Sequence, residues 1–237
     1  MSNTMISRLS RLFRCCVATV LLACAGTVVL GTQNGSSESP LMSDPELLKG
    51  VDAYMSGDYD GCYKLFRGAY EKNPGLSPPG VLMAQLFSSD GKYLKMHEYL
   101  EKAAQDHPTD PETFFQLGQI ALKEGRFVEC RLLIDKGNSV LEQLEKSTQG
   151  KSKEFSSRLD ELFRQAYSLQ ANFAQSKNDF AAAEKFVRKI TSRNPDDSDA
   201  WTSLGFLLFK QDKNEEARQA FAQAKKLDGS LSADWLV

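Results

Sequence analysis

The sequence predicts an all-α fold built from repeated pairs of helices, and the spacing of its glycines gives the main reason. Gly57, Gly91 and Gly125 are 34 residues apart, and each is followed two residues later by an aromatic residue. Pro74 and Pro108 are separated by the same interval. A period of this length is typical of stacked helix pairs, in which each pair needs its neighbours to cover its apolar face.

The repeat can be laid out as five units with one insertion. The units cover residues 43–76, 77–110, 111–144, 164–197 and 198–231, and the insertion covers residues 145–163. Residues 232–237 begin a sixth first helix and predict a truncated C-terminal cap. Each unit is expected to contain a first helix, a tight turn and a second helix.

The helix ends are predicted from residues with special backbone behaviour. Asp44 before Pro45 supplies an N-cap followed by a proline at the first helical position. The three spaced glycines fit the left-handed conformation that ends a helix, and Asn178 and Asp212 replace them in units four and five. Small residues are expected where the second helix of a unit approaches the first, at Gly50, Ala84, Gly118, Ala171 and Gly205.

The insertion predicts a lengthened helix. Phe155, Leu159, Leu162 and Phe163 recur at helical spacing and join the first helix of unit four. One helix is therefore expected from about Lys153 to Gln175. The sequence leaves two interpretations open, a lengthened packing helix or a dedicated docking or dimerising element.

The signature residues of the units resemble the tetratricopeptide repeat in order and spacing. Unit five carries the fullest set, which is Trp201, Leu204, Gly205, Leu208, Ala217, Phe221 and Ala224. Unit three repeats part of it at Phe114, Leu117, Gly118 and Ala121. The resemblance implies a right-handed solenoid of about five repeats, whose first helices line a concave groove that is the usual ligand surface of this family.

Residues 1–31 predict a signal peptide or a membrane anchor. Three arginines precede an uncharged run from Cys15 to Gly31. Three fates remain open, which are an uncleaved transmembrane anchor, cleavage after Ala25, and lipidation of Cys24 in a lipobox-like motif. All three export the repeats to the periplasmic side of the membrane, behind a flexible linker at residues 32–43.

Composition and motifs favour a binding protein over an enzyme. The formal charge is -2, and the sequence contains no stripe of basic residues. Both observations argue against a nucleic-acid partner. His97 and His107 are the only histidines, so a metal site or a Ser-His-Asp site has little to draw on. We therefore predict no cofactor, no metal and no catalytic residue. Cys62 and Cys130 are predicted to be separate core residues rather than a disulfide, because their units are not adjacent.

The resemblance places a set of amides and aromatics in the groove. Amides pair with a peptide backbone and aromatics cover apolar side chains. The candidate partner-binding residues are Tyr54, Gln85, Phe115, Gln119, Asn172 and Phe206. Asn172 also matches the asparagine of the clamp with which some members of the family hold a chaperone carboxylate, but Ser168 stands in the lysine position, so that function is not predicted.

The sequence thus predicts an extracytoplasmic scaffold or adaptor that binds a protein or peptide partner in the groove. The membrane is contacted only through the N-terminal segment. The alternative is a self-assembling structural or envelope-assembly component that uses the long helix or the open C-terminal face, and the oligomeric state is left open.

Overall fold

The computed structural model describes residues 44–73, 75–148 and 153–230. Within these ranges the chain forms ten α-helices and no strands, so the predicted all-α fold of helix pairs is confirmed. The helices are α1 (Pro45–Met55), α2 (Tyr59–Lys72), α3 (Pro79–Ser89), α4 (Tyr93–Asp106), α5 (Glu112–Lys123), α6 (Phe127–Thr148), α7 (Lys153–Ser176), α8 (Phe180–Arg193), α9 (Ser198–Phe209) and α10 (Asn214–Leu227).

Several predicted features lie outside the described residues. They are the export segment at residues 1–31 with Cys24, the linker at residues 32–43, Pro74, and the C-terminal cap at residues 232–237. None of the described helices has the length and the apolar character that a bilayer span requires.

The chain divides into two compact units between Thr113 and Phe114. We call the described residues up to Thr113 the N-unit and those from Phe114 onward the C-unit. The N-unit contains α1 to α4, and the C-unit contains α6 to α10 together with most of α5. The domain boundaries drawn from the repeat register stay a prediction.

The predicted helix ends are confirmed by the backbone. Gly57, Gly91 and Gly125 have positive φ angles of 85°, 69° and 73°, and Asn178 and Asp212 share a φ of 59°. All five therefore adopt the left-handed conformation between a first and a second helix. Glycine enters this region without a steric cost, and asparagine and aspartate are the residues that tolerate it best.

The core of the N-unit forms where α2 packs on α1. Phe66 on α2 is fully buried, and a Cβ atom at Gly50 on α1 would collide with its ring. The predicted need for a small residue at position 50 is therefore confirmed. The same core includes Leu47, Cys62 and residues from α3.

In the C-unit, the contact of a second-helix ring with a first-helix glycine recurs between α9 and α10 and is replaced by a different contact at α5. A Cβ at Gly205 on α9 would lie 2.6 Å from the Phe221 ring on α10, as predicted. At Gly118 on α5 the close neighbour is instead Leu169 of α7, 2.8 Å from such a Cβ. The second helix α6 also reaches this position, with Leu133 Cβ 3.6 Å from such a Cβ, so the expected approach is present but α7 makes the closer contact. Ile134 replaces the ring that Phe66 and Phe221 supply in their units.

The long helix predicted across the insertion is confirmed, since α7 runs from Lys153 to Ser176. Its partner α6 is also longer than predicted and continues to Thr148. Leu162 and Phe163 of α7 are buried in a cluster with Leu141 of α6, and Leu144 of α6 packs against the same cluster. The apolar stripe of α7 is therefore covered within the C-unit, which supports the packing interpretation.

The conformation of Gly125 gives a direct test of this helix-end assignment. We expect Gly125→Val to lower the free energy of unfolding by more than about 1 kcal/mol, because a β-branched residue resists positive φ. A Cβ at this position meets no atom within 4 Å, so the cost comes from the backbone alone. Urea unfolding measures it.

Two matched variants complete this test. Gly125→Asn should retain most of the stability, because Asn178 occupies the equivalent place. Gly229→Ala, at a glycine that also has open space around it, should change little. Equal effects of valine and asparagine at position 125 would contradict the assignment.

Candidate partner-binding groove

Of the two predicted groove residues in the N-unit, Tyr54 belongs to the core and Gln85 does not. Tyr54 is 5% exposed, and its hydroxyl donates a 2.8 Å hydrogen bond to Asp90 Oδ2. Its ring meets the rings of Tyr59 and Phe87 with centroids 5.2 Å away in both cases. Burial, followed by the hydrogen bond to Asp90, raises the pKa of Tyr54. Gln85 is half-buried on α3 and remains partly accessible.

Phe115 does not lie on an accessible surface. It is 1% exposed, and a Cβ atom at Gly137 on α6 would collide with its ring. Its pairing inverts the contact of units one and five, because here the first helix supplies the ring and the second helix supplies the glycine. The expectation that Phe115 faces the groove is therefore corrected, and its truncation would open a cavity in the core.

Three predicted residues of the C-unit remain accessible on successive first helices. Gln119 on α5 and Asn172 on α7 are half-buried, and Phe206 on α9 is 37% exposed. Each is the ninth residue of its repeat unit and directly follows a small residue of the register. We call these three residues the first-helix ladder.

The helices that carry the ladder are neighbours. Leu169 of α7 packs beside Gly118 of α5, which directly precedes Gln119. Ala171 of α7 shares a core cluster with Leu204 of α9. Packing therefore fixes the backbone under each ladder residue, while the ladder side chains keep part of their surface in solvent.

A buried charge network that the sequence analysis did not identify ties α8 to the turn between α9 and α10. Glu184 is 8% exposed and accepts hydrogen bonds from Lys213 Nζ (2.7 Å), Arg188 Nε (2.7 Å) and Gln211 Nε2 (2.9 Å). Burial alone would raise the pKa of Glu184, but the bonds from Lys213, Arg188 and Gln211 outweigh it and lower the pKa to about 2. The i,i+4 pair of Glu184 and Arg188 was the only signal of this network in the sequence.

The described residues show no group of side chains that could hold a metal ion. His97 pairs with Glu101 on the surface of α4, and the ring of His107 lies against Tyr70. Cys62 and Cys130 are both buried and free, which confirms that they are separate core residues. Burial raises the pKa of both thiols, that of Cys62 to about 12.

The chain is similar to known proteins in part of its sequence and in its fold. Residues 174–234 match the family model of the tetratricopeptide repeat. A comparison with curated proteins gives no match. Among solved structures, PilF of Pseudomonas aeruginosa superposes with a TM-score of 0.55 at 15% identity, covering 80% of this chain and 78% of that chain.

Two further structures superpose in the same way. MamA gives a TM-score of 0.51 at 16% identity, covering 76% of this chain and 94% of that chain. PilW, described as a widely conserved type IV pilus biogenesis factor, gives 0.53 at 15% identity, covering 83% and 82%. At these identities the structures establish the fold alone. The family model adds similarity to the tetratricopeptide repeat over residues 174–234, which lie in the C-unit.

The Glu184 network predicts a pH dependence of stability. The pKa of this carboxylate is lower in the folded state than its ordinary value of 4.5. Its contribution is therefore present above about pH 4.5 and lost as the pH falls toward 2. We expect the melting temperature of the wild type to fall more steeply than that of Glu184→Gln between pH 5 and pH 3.

The control for this prediction is Glu215→Gln, a change at an exposed carboxylate of α10 outside the network. It should retain the steep dependence of the wild type. If Glu184→Gln shows the same pH profile as the wild type, the network does not contribute in the way described.

Proposed function

We propose that this protein is an extracytoplasmic scaffold that binds an extended segment of a protein partner along its first-helix ladder. The observation that carries the proposal is the shared register of Gln119, Asn172 and Phe206, which leaves one accessible side chain on each of three neighbouring first helices.

The spacing of such a ladder suits an extended peptide. Packed helices lie about 8 to 10 Å apart, and an extended chain advances about 3.3 Å per residue. One ladder residue is therefore available for about every third residue of the partner. This periodicity favours an extended segment over a small ligand.

The chemistry of the ladder fits the same partner. The amides of Gln119 and Asn172 offer donors and acceptors, which match the polar groups of a peptide backbone. Phe206 offers an exposed aromatic surface for an apolar side chain, and the neighbouring Phe209 on α9 is 58% exposed. We therefore expect the partner to carry an apolar residue near the α9 end of the ladder.

The extracytoplasmic location in this proposal rests on residues 1–31 of the sequence. The basic start and the uncharged centre of that segment are the features of an export signal or an anchor. Under this proposal the repeats meet their partner outside the cytoplasm, whichever of the three fates the segment has.

Self-assembly is the second candidate function, and one observation favours it. Val128 and Leu132 of α6 are 79% and 64% exposed, and they lie four residues apart on one face of the helix. An apolar pair of this kind is able to contact a second copy of the chain.

Substitutions in the ladder test the proposal. We expect Asn172→Asp and Phe206→Ala each to weaken binding of the full chain to a partner captured from cell-envelope proteins by at least about fivefold. The first replaces an amide donor with a charge, and the second removes an aromatic anchor. Titration of the purified partner measures the affinity.

Matched controls separate the ladder from the alternative. Asn214→Asp makes the same chemical change at an exposed position of α10, and Leu132→Ala removes apolar surface from α6. Both should leave the affinity within about twofold of the wild type. The ladder proposal is refuted if Leu132→Ala weakens binding of the partner, or dissociates an oligomer of this chain, while both ladder variants bind the partner normally.

A further inference from the structure

A polar crevice of about 300 Å³ opens in the C-unit between the first turns of α7 and the end of α8. Its charged lining residues are Asp160, Glu161, Arg164 and Arg193. Ser157, Tyr167 and Asn194 add neutral polar groups. None of these residues belongs to the predicted groove, and the crevice exists because the insertion lengthens α7 beyond the end of α8.

Three of the four carboxylate oxygens in the lining accept hydrogen bonds from the arginines. Asp160 Oδ1 accepts a 2.9 Å hydrogen bond from Arg193 Nε. Glu161 accepts two hydrogen bonds from Arg164, one from Nε at 2.8 Å and one from Nη2 at 3.2 Å. Both carboxylates are therefore paired with an arginine, and Asp160 Oδ2 is the one oxygen of the two carboxylates for which the described residues supply no donor.

The unused hydrogen-bonding capacity of the crevice lies mainly in donors. Within the described residues, Arg193 Nη1 makes no hydrogen bond, and Arg164 Nη1 approaches only Asp197 Oδ2, at 4.0 Å. The side chains of Ser157, Tyr167 and Asn194 have no hydrogen-bond partner in the same part of the chain. The guanidinium nitrogens can only donate, so a ligand that satisfies them must supply acceptors, whereas the hydroxyls and the amide can donate or accept.

The arginines are also held in place before any ligand arrives. The Arg193 guanidinium lies 3.7 Å from the centroid of the Phe163 ring, and its Nη2 donates to Glu145 Oε1 at 3.3 Å. Glu161 holds Arg164 through two parallel bonds. Fixed donors lose less conformational entropy on binding than mobile side chains do.

We propose that this crevice binds a carboxylate side chain, an aspartate or a glutamate, on an acidic segment of the protein partner. The inference rests on the proposed function, because it assumes that the chain binds a protein. An anion in the crevice is opposed by the carboxylates of Asp160 and Glu161 in the lining, of Glu145 beside Arg193, and of Asp197 and Asp199 beside Arg164. Directional hydrogen bonds rather than net charge must therefore supply the affinity. A single acidic segment is therefore expected to bind weakly, and to add to the contacts of the ladder.

A defined probe tests the crevice. The full chain, kept in mild detergent, is titrated into a fluorescein-labelled peptide of about ten alternating glycines and glutamates, and into its glutamine counterpart. We expect the glutamate peptide to bind at least about tenfold more tightly. Arg164→Gln should weaken the glutamate peptide about tenfold, because one charge-assisted hydrogen bond is lost. Tyr167→Phe removes a hydroxyl from the lining and should weaken binding of the glutamate peptide about threefold. This second variant tests the crevice even if Arg164→Gln fails to fold.

The matched control is Arg131→Gln, which removes the same charge from an exposed arginine of α6 outside the crevice. It should change the affinity by less than about twofold. The inference would be overturned if the two peptides bound equally well. It would also be overturned if neither Arg164→Gln nor Tyr167→Phe changed the affinity for the glutamate peptide.

The result is separable from that of the ladder test. If Asn172→Asp weakens binding of the captured partner but the glutamate peptide binds no better than its glutamine counterpart, only the crevice inference is rejected. If Arg164→Gln weakens binding of the glutamate peptide while both ladder variants bind the partner normally, the ladder proposal is rejected and the crevice inference is retained.

Discussion

In three of the five described helix pairs, the close approach of the two helices depends on a ring that lies against a glycine of the facing helix. Phe66 on Gly50 and Phe221 on Gly205 use this contact in one direction, and Phe115 on Gly137 uses it in the other. A Cβ at any of these glycines would force the helices apart, since the ring has no room to move in a close-packed core. The accessible positions of the first helices are therefore those that the ring contacts leave uncovered.

The sequence predicted those parts of the fold that follow from local constraints. The left-handed positions, including Asn178 and Asp212, could be predicted because few residues tolerate positive φ. The bounds of α7 could be predicted because its apolar stripe is continuous. The packing of that stripe could not be predicted, because it depends on the length of α6, and the 34-residue register ended unit three at residue 144 whereas α6 continues to Thr148.

Errors at the candidate site have a related cause. The register assigned Phe115 to the groove because it occupies the same place as Ser168 and Thr202 in their units. Burial depends instead on which residue faces it across the pair, and Gly137 provides the space. The charged groups of Glu184 and of the crevice escaped the sequence analysis because their partners lie on helices distant in sequence, such as Arg193 with Glu145.

Photo-crosslinking tests most directly whether a partner lies along the first helices. Replacing Phe206 with p-azidophenylalanine keeps an aromatic ring at the exposed end of the ladder, and the same residue at Val128 probes the outer face of α6. The account predicts that the partner protein cross-links from position 206 and not from position 128. A partner, or a second copy of this chain, that cross-links from position 128 alone would contradict it.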